Sequence, residues 1–176
     1  WTKAVAAQLG SPAMAKLDNR LDIERLLFQA DARVNALRAA AWLASSEARP
    51  GSHSFLCRTA AGKDSCNGLV GQAWAIEGLA AGAACLGAEP LSKLAEAGFL
   101  RHPFDEHAGL WRRVESDGRT LGPDYTLNHQ LWFAAAGALL APLAASEVGA
   151  RVRAFLDALA TSFALHHDGA VRHADP

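Results

Sequence analysis

Two alanine-rich segments, Gly68 to Leu86 and Asn128 to Leu143, constrain this chain most, because each reads as a helix with apolar residues on nearly every side. Glu77 is the only Asp, Glu, Lys or Arg in either segment. Such a helix is stable only when other protein covers its circumference. The two are also copies, since Gln72 and Trp74 recur as Gln130 and Trp132, both 58 residues later. The chain is therefore expected to be built from repeated units around buried inner helices.

The surrounding sequence supplies the outer layer. Ser11-Pro12 opens a helical pattern through Leu17, Leu21, Leu26, Leu27, Val34, Leu37, Ala41 and Leu43, which Arg49-Pro50-Gly51 ends by removing a backbone donor and offering a flexible turn. Pro90 starts a second amphipathic helix, Leu91 to Leu100, and Glu147 to His166 forms a third. Gly109 to Val114 reads as a short strand before a Ser116-Asp117-Gly118 turn, with Leu110, Arg112 and Val114 on one face and Trp111 and Arg113 on the other. Leu56-Cys57-Arg58, Leu110-Trp111-Arg112 and Ala170-Val171-Arg172 give three units a common ending.

A period near 58 residues exceeds that of the common helical solenoids. It suits an apolar inner helix, an amphipathic outer helix and a decorated connection. Hairpins with fully buried inner helices close into a ring, so the expected fold is all-α: a partial (α/α) toroid of about three helical hairpins with short strands in the connections. Residues 1–176 then form one domain within a longer six-hairpin ring. Half a ring exposes apolar edges, and the expected cover is the remainder of the same chain or a homodimer formed edge to edge.

Composition narrows the classes further. With 51% apolar and 20% charged residues the chain is globular, and a net charge of −1 with scattered Lys and Arg suggests neither a nucleic-acid face nor a juxtamembrane basic cluster. No continuous apolar run of membrane-spanning length and no signal peptide is evident, so the expectation is a cytoplasmic protein without membrane or nucleic-acid partners. Cys57, Cys66 and Cys85 lack Cys-x-x-Cys spacing, and neither a metal nor a cofactor is expected. Cys57 and Cys66 flank a turn and would pair only in an oxidising compartment.

Chemistry concentrates where the inner helices begin. Asp124, Asn128, His129, Gln130 and Trp132 precede or open one, and Asn67, Gln72 and Trp74 the other. Asp124 and His129 are the candidate catalytic pair, the imidazole because it titrates near neutrality. The simpler roles are a helix cap for Asp124 and a packing residue for His129. Asn67, Gln72, Trp74, Trp111, Arg112, Asn128, Gln130 and Trp132 are the candidate substrate contacts. For the Trp74 and Trp132 indoles a core position is the simpler reading and a sugar-stacking platform the functional one. The two glutamines either tie elements together or face substrate. Arg112, beside Trp111 on a strand, suits a carboxylate held in a bidentate pair. His102, His107, His166, His167 and His173 lie in connections and read as solvated or loop-packing residues.

Gly71-Gln72-Ala73-Trp74-Ala75 resembles a segment of unsaturated glucuronyl hydrolases, members of the six-hairpin glycosidase superfamily. Asp124-x-x-x-Asn128-x-x-Leu131-x-x-Ala134 is similar to their catalytic acid/base segment, although the two segments occur here in the opposite order to that expected for the family. The resemblance implies a carbohydrate substrate and an acid/base role for Asp124. Phe104-Asp105-x-x-x-Gly109-Leu110-Trp111 also resembles N-acylglucosamine 2-epimerases, which use histidine as acid/base, and His129 is the matching candidate. Cys66-Asn67-Gly68 resembles the Cys-His-Gly element of lanthionine-synthetase-like cyclases, with Asn67 where their zinc-binding His stands. The expected function is a hydrolase or epimerase acting on a sugar. The alternatives are a cyclase of that kind and a non-enzymatic module that binds a glycan or peptide.

Overall fold

The computed structural model describes residues 20–165, with side chains over 29–161. The start of the first helical pattern, the ending at residues 170–172, and His166, His167 and His173 lie outside the described residues. The chain divides into two compact units, Trp1–Ala39 and Ala40–Pro176. Within the first lies most of helix α1 (Arg20–Leu43), whose Val34 and Leu37 are exposed although their spacing marks them as an apolar face.

The second unit holds α2 (Gly68–Leu86), α3 (Glu89–Leu100), strands β1 (Phe104–Asp105), β2 (Leu110–Val114) and β3 (Thr120–Pro123), then α4 (Leu127–Leu140) and α5 (Ser146–Leu165). The three strands form one small antiparallel sheet in the order β1-β2-β3. The fold is thus mostly helical, as expected. α2 turns back through Gly87, which closes it in the left-handed conformation, and Pro90 at the start of α3 restarts the chain. α4 ends three residues before the expected Leu143, because Pro142 converts Ala141–Leu143 into a 3-10 turn.

α2 and α4 pack against each other, α3 lies on α2, and α5 lies on α4. The two central helices begin at the same end of the unit, since Asp124, just before α4, bonds the Leu69 amide at the start of α2. Leu69, Ile76 and Leu79 of α2 and Phe133 and Leu140 of α4 are fully buried. Each contributes roughly 1.5 to 3 kcal/mol relative to exposure. As a whole helix α2 is long and apolar enough to cross a membrane by length and composition, which a count of uninterrupted apolar residues did not show. More than half of it is buried within the protein.

An aromatic cluster fills the space between the sheet and the helices. Trp111 is its centre, with Phe99, Phe104, Phe133 and Phe155 at centroid distances of 5.7, 5.2, 5.3 and 5.0 Å. This corrects the expectation of Trp111 as a substrate contact. The expected alternation of β2 is interrupted by an irregularity between Arg112 and Val114, and both Trp111 and Val114 are buried.

The repeat is visible atom by atom. The Gln72 Oε1 accepts from the Phe55 amide at 2.8 Å, and its Nε2 donates to the carbonyls of Phe55 at 2.9 Å and Cys66 at 2.8 Å. Gln130 does the same, accepting from the Trp111 amide at 3.1 Å and donating to the carbonyls of Trp111 at 3.0 Å and Asp124 at 2.7 Å. Each buried amide clamps an extended segment and the lead-in to its own helix. Phe55, rather than Cys57, is therefore the counterpart of Trp111, and the connection before Gln72 is two residues shorter than the one before Gln130. Both side chains are buried with their N–H donors occupied, which removes Gln72 and Gln130 from the substrate contacts.

His102 is fully buried, which fits the packing reading and rules out the solvated one. Its Nδ1 donates to the Arg112 carbonyl at 3.1 Å, its Nε2 lies 3.4 Å from the Ser54 hydroxyl, and its ring meets Phe133 edge-on. Burial pushes its pKa down to about 4.

Two outcomes follow from these buried polar groups. Replacing Gln130 with Leu strands the Trp111 amide and the Asp124 carbonyl in the interior, while the Trp111 carbonyl keeps the Asp124 amide, and is expected to cost about 3 kcal/mol in urea unfolding. His102 binds a proton more readily unfolded than folded, so its contribution is complete above its ordinary value near 6.5 and is lost as pH falls towards 4. Unfolding free energies at pH 7 and pH 5 should differ in that sense, and a flat profile between them is the contrary result.

Candidate functional site

The start of α2 brings together groups from two repeat units. The Gly68 amide donates to Asp64 Oδ2 at 2.7 Å, and the Leu69 amide donates to Asp124 Oδ2 at 3.1 Å. Two carboxylates thus meet the positive end of a 19-residue helix. Asp124 caps the preceding inner helix and also braces the turn before its own, where Oδ1 accepts from the Thr126 amide at 3.1 Å.

The same Asp124 Oδ2 lies 3.0 Å from Nδ1 of His129. Burial by itself raises the Asp124 pKa, but the Leu69 amide, the His129 ring and the Thr126 amide together hold the carboxyl below its ordinary range. The group is an anion at neutral pH. It orients the imidazole with Nδ1–H towards the carboxylate. Asp124 is only 5% exposed, while the His129 side chain is 28% exposed, so the dyad presents its imidazole and conceals its acid.

Gly68 makes this arrangement sterically feasible. Its φ is +62°, and a Cβ there would lie 3.0 Å from Asp124 Oδ2 and 3.2 Å from His129 Nδ1. Asn67 precedes it, also left-handed at φ 56°, and its Oδ1 accepts from Arg58 Nη1 at 2.8 Å. Arg58 is ion-paired with Asp64 and donates to the Asp64 carbonyl at 2.7 Å.

A second buried network supports the loop. Glu115 Oε2 accepts from the Ser65 amide at 2.9 Å, the Ser65 hydroxyl at 2.6 Å and the Cys66 amide at 3.3 Å. Burial, reinforced by Glu115, pushes the Cys66 thiol up to about 11, and its Sγ lies 3.4 Å from Asp64 Oδ2. Ligand atoms of Asp64, Cys66 and Glu115 lie within 4.8 Å of one another, with Arg58 paired to Asp64. Cys57 and Cys66 are both free thiols. Arg58, Asp64, Ser65 and Glu115 escaped sequence reasoning, because Glu115 reaches Ser65 across 50 residues. An acidic residue four before Gly68 was the one local signal of a cap.

The remaining candidates divide. Asn128 and Trp132 lie on the exposed side of α4, Trp132 three residues after His129 and hence near it on the helix surface. Trp132 and Trp74 are 47% and 57% exposed, which corrects the core reading of both indoles. Arg112 is occupied, with Nε and Nη2 donating to Asp105 Oδ2 at 3.2 and 3.0 Å. Asp105 is held low by the Ala108 amide and then by Arg112. This pairing leaves Arg112 without the free fork expected for a carboxylate substrate.

Comparison with known proteins adds a relative. The archaeal glycosylation protein Q of Haloferax volcanii is 49% identical over 141 residues, which cover 80% of this chain and 38% of that protein. The chain therefore spans well under half the length of the curated relative it matches. No protein-family model matches the chain, and no solved structure matches it.

Adding one methyl group tests the geometry of the dyad. Gly68→Ala imposes left-handed strain and pushes against the Asp124–His129 contact, with an expected cost of about 1 to 3 kcal/mol in stability. The His129 ring resonances should shift in the same variant, and unchanged resonances would contradict the contact.

Proposed function

We propose that this chain is a carbohydrate-processing region acting in glycosylation, with His129 as its acid/base group and Asp124 as the residue that positions it. The 3.0 Å contact between His129 Nδ1 and the buried, ionised Asp124 carries the reading. An imidazole held in this way takes a proton at Nε2 and returns it, which is what either hydrolysis or epimerisation of a sugar requires. Asp124, kept anionic by three hydrogen bonds, is poorly suited to proton delivery itself, so the acid/base role implied for it by resemblance passes to its neighbour. The relative's name, archaeal glycosylation protein Q, supports the carbohydrate context.

The proposed architecture is part of an (α/α) toroid of the six-hairpin glycosidase type. Three observations support it: adjacent central helices that start at one end, a hairpin partner for each, and an exposed apolar stripe of Leu131, Trp132, Ala135, Ala138 and Leu139 along α4. Further hairpins are the cover we assign to that stripe, and the matched relative is more than twice as long as this chain. Exposed Trp132 beside the dyad is the proposed sugar-stacking surface.

A non-enzymatic glycan-binding module is the competing reading, favoured by the capping bonds that Asp124 makes to Leu69 and Thr126. Assays with unsaturated uronic oligosaccharides and N-acylhexosamines separate the two. His129→Gln is expected to lower turnover by about 10²-fold or more while glycan binding persists, and Asp124→Asn to lower it as well. Full turnover in both variants would remove the dyad from the chemistry.

A further inference from the structure

The loop after α1, the end of α3 and the β2–β3 turn place a second constellation at the end of the unit where α2 begins. Arg49 Nε donates to the His53 carbonyl at 2.6 Å and its Nη2 to the Ser52 carbonyl at 2.9 Å, with the guanidinium 5.6 Å above the Phe55 ring. Arg101, directly after α3, brings Nη2 within 2.5 Å of His53 Nδ1. A guanidinium only donates, so Nδ1 accepts and the His53 proton sits on Nε2. Two guanidinium groups thus converge on one histidine, one at its backbone and one at its ring.

Among the described residues no carboxylate lies within ion-pair distance of Arg49 or Arg101, as is also true of Arg33, Arg38, Arg113 and Arg153, whereas Arg58, Arg112, Arg119 and Arg151 each have one. The Arg49 pKa is lowered by burial and by the charge of Arg101, a like-charge proximity that an anion would relieve. The ring is held by backbone. A Cβ on Gly118, whose φ is +88°, would lie 2.6 Å from the His53 ring, and one on Gly51 3.0 Å from it. Ser52 adopts φ 60°, a left-handed conformation that a residue with a Cβ takes only when its surroundings impose it. Bracing the loop accounts for the Arg49 bonds to carbonyls, and the helix dipole accounts for a cation after α3. Neither accounts for two neighbouring cations that lack a carboxylate among the described residues.

We propose that Arg49, His53 and Arg101 form a binding site for a phosphate group. Arg49 Nη1, the free N–H groups of Arg101 and His53 Nε2–H are the donors it offers, while the Ser52 and His53 carbonyls are already taken by Arg49, which suits a tetrahedral oxyanion bearing two negative charges. The phosphate is either the free anion or the phosphoryl group of a phosphorylated sugar. This site is separate from the Asp124–His129 dyad.

Titration followed by NMR of the histidine rings tests it, with inorganic phosphate, a hexose 1-phosphate and the unphosphorylated hexose as probes. Both phosphates should shift the His53 ring signals while the neutral hexose leaves them in place. Tighter binding of the hexose 1-phosphate identifies a sugar phosphate, and equal binding identifies the free anion. Arg101→Gln, at an exposed position, should weaken phosphate binding about tenfold or more, as expected for loss of a charge-assisted hydrogen bond. Asp124→Asn should leave it unchanged, so failure of the dyad and failure of this site are distinguishable. Absence of a His53 shift with phosphate, or equal affinity in Arg101→Gln, overturns the proposal.

Discussion

The two buried glutamine amides are the constraint on which the rest of the unit depends. Each joins an extended segment to a central helix by bonding both the amide and the carbonyl of one residue, Phe55 in one unit and Trp111 in the other. An unpaired buried amide or carbonyl costs about 1 to 3 kcal/mol, so two such clamps are comparable with the stability of a small domain. They also set the position of Trp111, and with it the aromatic cluster that Phe99, Phe133 and Phe155 complete.

The helices were largely legible in the sequence, and their surroundings less so. α2 begins at Gly68 and ends at Leu86 as its composition indicates, because a glycine-bounded apolar run leaves little freedom. The same composition hides which sides are covered: in a helix apolar all round, Trp74 and Trp132 look as internal as Leu69 and Phe133, yet they are exposed. Trp111 and Arg112 illustrate the complementary failure. Alternation along β2 is interrupted by an irregularity, and Asp105, seven residues earlier, occupies the arginine. His102 lies in a connection by sequence and in the core by structure, since Phe133 and the Arg112 carbonyl reach it from other elements.

The candidate site was legible in its acid and imidazole and illegible in their support. Asp124 and His129 stand close in sequence, and their residue types indicate the pairing. Their location over Gly68 depends on α2 and α4 packing side by side, which no local pattern encodes. The electrostatic result is equally tertiary. Burial and hydrogen bonding act on Asp124 in opposite directions, and the balance rests on a Leu69 amide 55 residues away. The carboxyl is thereby held as an anion that accepts three hydrogen bonds.

The partners of the glutamine clamps are main-chain atoms at Phe55 and Cys66 in one unit and at Trp111 and Asp124 in the next. The clamp is therefore indifferent to the side chains it positions. The residue six before each glutamine occupies a standardised socket whose backbone is fixed and whose chemistry is interchangeable: a protonated thiol in one copy, an ionised carboxylate in the other. Duplication of such a unit multiplies mounting points, and a change at that one position alters the chemistry presented while the clamp itself is kept.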